Sequence, residues 1–297
     1  MHFEVKHQLR YTYSKEVFLE PTIIRLRPRD DFAQKLDFYK FDALPNPADF
    51  SDSLDIFNNY QTELWFTEKQ SSLTLNTHFK VETTLSNPFH YLVTSPQVLK
   101  LPAKYSVENK MALAPYLHRI HPDAAVDELA QTLLNESDDN TLNYLYHMTD
   151  YIHRNIQQTI RAIGEPLLPN KTLRRKEGAC RDLAVLFIDL CRAMGLAARF
   201  VSGYKYDPGA RDSHELHAWA EVYLTGAGWR GYDPSLGLAV ADHHIALAAG
   251  PMTHDAAALS GAFRGTDVLT RMDYEIEIKS LETAKKIAPG QTQGQTL

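Results

Sequence analysis

The segment from Cys180 to Met194 constrains this chain more than any other. Leu183, Phe187, Leu190 and Met194 recur at spacings of three and four, which puts them on one apolar stripe of a helix. Gly195 comes next, where a helix closes in a left-handed cap, and Gly178 precedes it where the chain must turn tightly. Cys180 therefore stands at, or within one residue of, the helix N-terminus. Unpaired N–H groups and the helix dipole favour negative charge there, the setting in which a thiol becomes a reactive thiolate.

A free cysteine is most often a small buried apolar residue. Cys191, mid-helix beside Leu190, reads that way. Cys180 does not, because it lies at a turn among Lys176, Glu177, Arg181 and Asp182. On one helix the two cysteines stand roughly 16 Å apart, beyond the reach of a disulfide. Two unpaired cysteines point to a reducing compartment. The sequence has no apolar run of membrane-spanning length, and Met1 to Lys6 opens no secretory signal, so the expected location is cytoplasmic. With 297 residues, 44% hydrophobic and 23% charged, the chain is an ordinary globular protein of one large or two medium domains. A net charge of −6 gives it no general attraction to nucleic acid or anionic lipid.

Strand signals dominate the first part of the chain. Phe3 and Val5 alternate with Glu4 and Lys6, and Leu9, Tyr11 and Tyr13 continue at every second residue. Further runs at Thr22–Leu26, Leu36–Phe41, Thr62–Phe66 and Leu73–Thr84 suggest an antiparallel sandwich or barrel over residues 1–100. Pro88, Pro96 and Pro102 mark the boundary. A second domain then spans 101–286. It opens with helices from Asp123 and from Asn140 or Thr141, succeeded by a loop over 164–176 and the Cys180 helix. Strands come after it at Ala197–Tyr204, Leu216–Leu224 and Trp229–Asp233; residues 242–249 read as helix or strand, and Val268–Ile278 as a late strand. Residues 287–297 have the composition of a disordered tail.

The strand Leu216–Leu224 sends His217 and Trp219 to its polar face, and Asp233 ends the next strand before Pro234. A thiol nucleophile needs a base within hydrogen-bond reach, and the base needs a third group to fix its tautomer. Neighbouring strands lie about 5 Å apart, so Asp233 can hold His217 while His217 faces Cys180. His214-Glu215-Leu216-His217 lacks the helical metalloprotease spacing, and no metal is expected. The Cys180 N–H is the natural oxyanion donor. A second donor is open among Gln157, Gln158 and Trp219.

Four blocks now carry a resemblance. Gly178 to Ala184, Arg199 to Tyr204, His217 to Tyr223 and Gly228 to Pro234 resemble, in order and spacing, the bacterial transglutaminase-like superfamily, across about residues 140–265. The strand-rich first part is similar to the β-domain that precedes this core in many bacterial members. The resemblance implies an α+β protein: a β-sandwich-like N-terminal domain before a papain-like core. It implies Cys180 as nucleophile, His217 as base and then acid, and Asp233 as the orienting partner. The expected chemistry is hydrolysis of a peptide or isopeptide amide through a cysteine thioester, without a cofactor. The alternatives are transfer to an amine and a non-catalytic binding module on the same fold. The expected partner is a peptide or protein amide; the sequence assigns no oligomeric state. Two departures concern the substrate rather than the triad. Leu183–Leu186 lacks a histidine that many members have after the cysteine, and Gly250-Pro251-Met252 replaces a common Gly-Arg-Asp.

Overall fold

The computed structural model describes residues 1–161, 164–209 and 215–281. The first strand, His2–Leu19, shows why the N-terminal part is a sandwich: Phe3, Val5, His7 and Leu9 are buried, while the residues between them are not. It pairs antiparallel with Gln70–Thr83, which pairs with Gln34–Leu44. A second antiparallel sheet runs in the order Leu259–Ser260, Thr22–Ile24, Tyr60–Trp65 and Asp49–Leu54. Phe3, Val5, Leu75 and Phe79 of one sheet pack with Ile24 and Leu64 of the other. The strand Asp49–Leu54 is exposed at every position, so no alternation announces it in the sequence.

The late strand, Thr270–Ser280, returns to this first part. It pairs with the first strand from Phe3↔Ser280 to Tyr13↔Thr270, and its Ile276 and Ile278 enter the same core. Position along the chain assigns it to the 101–286 domain. Its hydrogen bonds attach it to the N-terminal sheet instead, because the apolar face it must bury matches that of Phe3 and Val5.

The second half has three main helices and a sheet in the order Leu238–Ala239, Gly228–Asp233, Leu216–Leu224, Ala198–Lys205, His244–Gly250. The first two of these helices begin where expected: Asp123 caps Ala124–Asn135, and Asn140 caps Thr141–Asn155 by accepting from the N–H groups of Leu142 and Asn143. The third, Cys180–Ala193, ends before Gly195, whose φ of 73° is the left-handed turn a side chain would resist. Its stripe of Leu183, Phe187 and Leu190 packs into a core with Ala218, Ala220 and Val222 of the sheet. The expected loop at 164–176 contains a helix, Pro169–Arg175, with proline in its first turn and Lys176 left-handed at its end. Seven residues are too few to show a periodic stripe. The ambiguous 242–249 run is the strand His244–Gly250.

This last strand lies at the edge of the core sheet, and side-chain amides cover it. Gln34 bonds both the N–H and the carbonyl of Ala246, at 2.7 and 2.9 Å. Asn59 does the same for Ala249, at 2.8 and 2.9 Å. Two residues of the N-terminal sandwich thus satisfy a strand edge that would otherwise bury unpaired backbone. No helix among the described residues is long and apolar enough to cross a membrane. The expected tail at 287–297 and His214 lie outside the described residues.

Candidate active site

Cys180 is the first residue of its helix and is partly exposed. Asp182, fully buried, sets this end of the helix. Its Oδ2 accepts from the Ala179 N–H at 2.8 Å, and its Oδ1 accepts from Leu167 N–H and from Arg161, each at 2.7 Å. The same carboxylate thus caps the helix and clamps the preceding loop. Gly178 is required for contact rather than for its torsions: a Cβ there would lie 2.9 Å from Cβ of Asp182. The short parallel pair Gln157–Gln158 with Glu177–Gly178 then carries Gln158 alongside the cysteine turn.

His217 and Asp233 meet as the strand geometry requires. His217 lies on the Leu216–Leu224 strand near the point where pairing with the Asp233 strand stops at Ala220. Its Nε2 is 2.6 Å from Asp233 Oδ2. Cys180 also acts on this imidazole, and with Nε2 committed to Asp233 the nitrogen left for the thiol is Nδ1. Burial works against a charged imidazole, but Asp233 outweighs it and Cys180 adds to the effect, so the His217 pKa rises to about 10. Asp233 has no exposed surface. Burial would raise its pKa, yet the charge and hydrogen bond of His217 and the hydrogen bond of His244 hold it well below the usual carboxylate range.

His244 is the residue the sequence concealed. Its Nε2 lies 3.0 Å from the same Oδ2, while Ser235 gives both its N–H and its hydroxyl to Oδ1, at 3.0 and 2.6 Å. Every acceptor direction of the buried carboxylate is thereby occupied. Burial lowers the His244 pKa despite Asp233, so it is a neutral donor. His217, Asp233 and His244 offer ligand atoms within 4.8 Å of one another. Their spacing is that of two hydrogen bonds to one oxygen, which accounts for the cluster without a metal. The ambiguity of 242–249 hid His244, since its neighbour His243 turns the other way, toward Tyr206. Replacing His244 with phenylalanine removes a donor from a buried carboxylate. The expected cost is about 1–3 kcal/mol of unfolding free energy. An unchanged denaturant midpoint would show that Ser235 and His217 satisfy Asp233 without it.

The oxyanion candidates separate. Cys180, His217 and Gln158 line one cavity of about 580 Å³. Gln157 lies in a neighbouring groove with His153 and Lys176. Trp219 is buried among Val201, Ala246 and Ala249, with its ring 5.2 Å from that of His244 and its Nε1 without a partner. It walls the histidines and does not reach the cavity. Cys191 has no exposed surface, and burial pushes its thiol pKa well up.

A helix that presents a thiol to a sheet carrying a paired histidine and aspartate is a papain-like architecture. Family comparison narrows this. Residues 127–234 match the transglutaminase-like superfamily, and residues 3–82 match the bacterial transglutaminase-like N-terminal region. The chain belongs to the transglutaminase-like superfamily and carries its bacterial N-terminal region. An uncharacterized protein of Mycobacterium tuberculosis is 28% identical over 301 residues, covering 94% of this chain and 93% of its own. A shorter match, 32% over 114 residues, links the chain to an uncharacterized protein of Mycobacterium leprae, over 37% of this chain and 40% of that one. Among solved structures, a candidate cysteine protease from Cytophaga hutchinsonii has the same fold, with a TM-score of 0.72 at 21% identity over 95% of this chain and 91% of that one.

Proposed function

We propose that the protein is a thiol amidase or peptidase. The observation that carries this is His217, which is held by Asp233 through Nε2 at 2.6 Å and lines the same cavity as Cys180. A protonated imidazole beside a helix-start sulfur is what a nucleophilic thiolate needs. In this reading the Cys180 sulfur attacks the amide carbonyl. The oxyanion forms against the Cys180 N–H, a first-turn donor without a helical partner. Gln158 is the second donor, because it is the candidate that borders the cavity. The proton on His217 passes to the leaving amine, and a thioester remains. Water, giving a proton to the now neutral imidazole as it attacks the thioester carbonyl, releases the acid, expels the sulfur and restores the thiolate–imidazolium pair. The Cytophaga hutchinsonii protein, described as a candidate cysteine protease, supports this class through its fold.

Alkylation tests the first step. Iodoacetamide at neutral pH is expected to label Cys180 far faster than Cys191, as read by mass mapping of peptides after brief exposure. Equal labelling of the two thiols would remove Cys180 from the nucleophile role. Hydrolysis is separated from transfer by adding a primary amine to a turnover assay: release of free acid alone supports hydrolysis, and an amine adduct supports transfer.

A further inference from the structure

The cavity that holds Cys180 has two walls of different origin. One is the core: Cys180, His217 and Ala218. The other is the N-terminal sandwich. Leu9 and Tyr11 lie on its first strand, directly opposite Tyr274 and Met272 on the late strand. Partners across a strand pair share a face, as do residues two apart along a strand, so these four form one patch. Farther along the strands the same face is closed core, carrying Phe3, Val5, Ile276 and Ile278. At Leu9 and Tyr11 the same face borders the cavity, beside Leu259 and Ser260 of the second sheet. Leu9 is 4% exposed, while Tyr11, Met272 and Tyr274 are half-buried. Tyr274 also sends its hydroxyl toward Glu215, two residues before His217, at 3.3 Å.

We propose that the N-terminal sandwich is part of the substrate site: Leu9, Tyr11, Met272 and Tyr274 form a subsite for an apolar or aromatic side chain of the amide substrate. This rests on Cys180 being the nucleophile. The patch has the composition such a subsite requires, two rings with polar tips and an adaptable thioether over a leucine floor. A cavity of about 580 Å³ lies within the usual range of ligand clefts. The sandwich thereby takes a share in choosing the substrate, by removing an apolar side chain from water beside the reacting thiol.

The test uses short peptidyl chloromethyl ketones that carry phenylalanine, glycine or aspartate. In each, the Cys180 sulfur forms a bond to the methylene carbon and chloride leaves. The rate of Cys180 modification in the full chain is compared with that by iodoacetamide, which is too small to use the subsite. The phenylalanine probe is expected to react at least about tenfold faster than the glycine probe. Met272→Ala and Tyr11→Ser are each expected to lower that preference severalfold and to leave the iodoacetamide rate unchanged. Tyr274→Phe keeps the ring and should retain the preference, which guards against loss of fold as the cause. Intact iodoacetamide labelling of Cys180 with no side-chain preference, or with a preference the variants do not move, overturns the subsite alone. Loss of selective iodoacetamide labelling in the wild type would instead overturn the nucleophile assignment.

Discussion

Cys180→Ala is expected to abolish turnover of any amide the wild-type protein cleaves, by a factor on the order of 10⁵–10⁶. The thiol is the atom that forms the covalent intermediate, and no other described cysteine reaches the cavity: Cys191 is sealed in the core. The fold should hardly notice. Asp182 caps the helix through backbone and loop contacts that do not involve the sulfur, so a stability change within about 0.5 kcal/mol is expected. Turnover by the alanine variant at the wild-type rate, with the fold intact by circular dichroism, would show that the reaction runs elsewhere.

Asp233→Asn is expected to lower kcat/KM by about 10²–10³. The same exchange in a serine triad costs about 10⁴, and a thiolate asks less of its base. An asparagine can still meet the imidazole but cannot stabilise its charged form. The effect on pH dependence is equally specific. In the folded wild type, the His217 pKa is raised from 6.5 to about 10 by Asp233 and Cys180, against the burial that opposes it. A raised pKa stabilises the fold fully below the unfolded value of 6.5. That contribution falls away as pH climbs through the folded value near 10. Asp233, held low, contributes in the opposite sense: its share is present above 3.8 and fades as pH falls below that. Wild-type Tm should therefore decline between pH 6.5 and 10 more steeply than that of Asp233→Asn. Parallel curves across this window, with kcat/KM unchanged, would reduce Asp233 to a turn residue before Pro234.

Much of this site is written in local pattern. The stripe Leu183–Phe187–Leu190 announces a helix, and its start locates Cys180. Alternation along Leu216–Leu224 puts His217 on a polar face, and Pro234 fixes where the Asp233 strand must end. Each signal lies within a dozen residues, the range over which periodicity can be read. The hidden features depend on distant partners. His244 gains meaning only when its strand settles beside Ala198–Lys205 and aims Nε2 at Asp233. Asp182 looks like a first-turn acid, and its grip on Arg161 and Leu167 depends on how the intervening loop folds back. Trp219 shares the polar side of its strand with His217, but that side is covered at Trp219 by Ala246 and Ala249, which alternation alone cannot foretell. The attachment of Thr270–Ser280 to the first strand links the two ends of the described chain, and no window of sequence spans that distance.

That pairing has a consequence for how the molecule is made. A ribosome releases the first strand long before its partner exists, and the helical core is synthesised in between. Until Thr270–Ser280 emerges, one edge of the first strand offers unpaired backbone over Phe3–Tyr13, the kind of edge that recruits stray strands. A chain cut near residue 100 would keep this open edge permanently, so the sandwich is not a module that separates cleanly from the helical core. The order of synthesis also orders the site. The Cys180 helix and the His217 strand are in place while Met272 and Tyr274 are still to come, so the cavity receives its far wall with the last strand described.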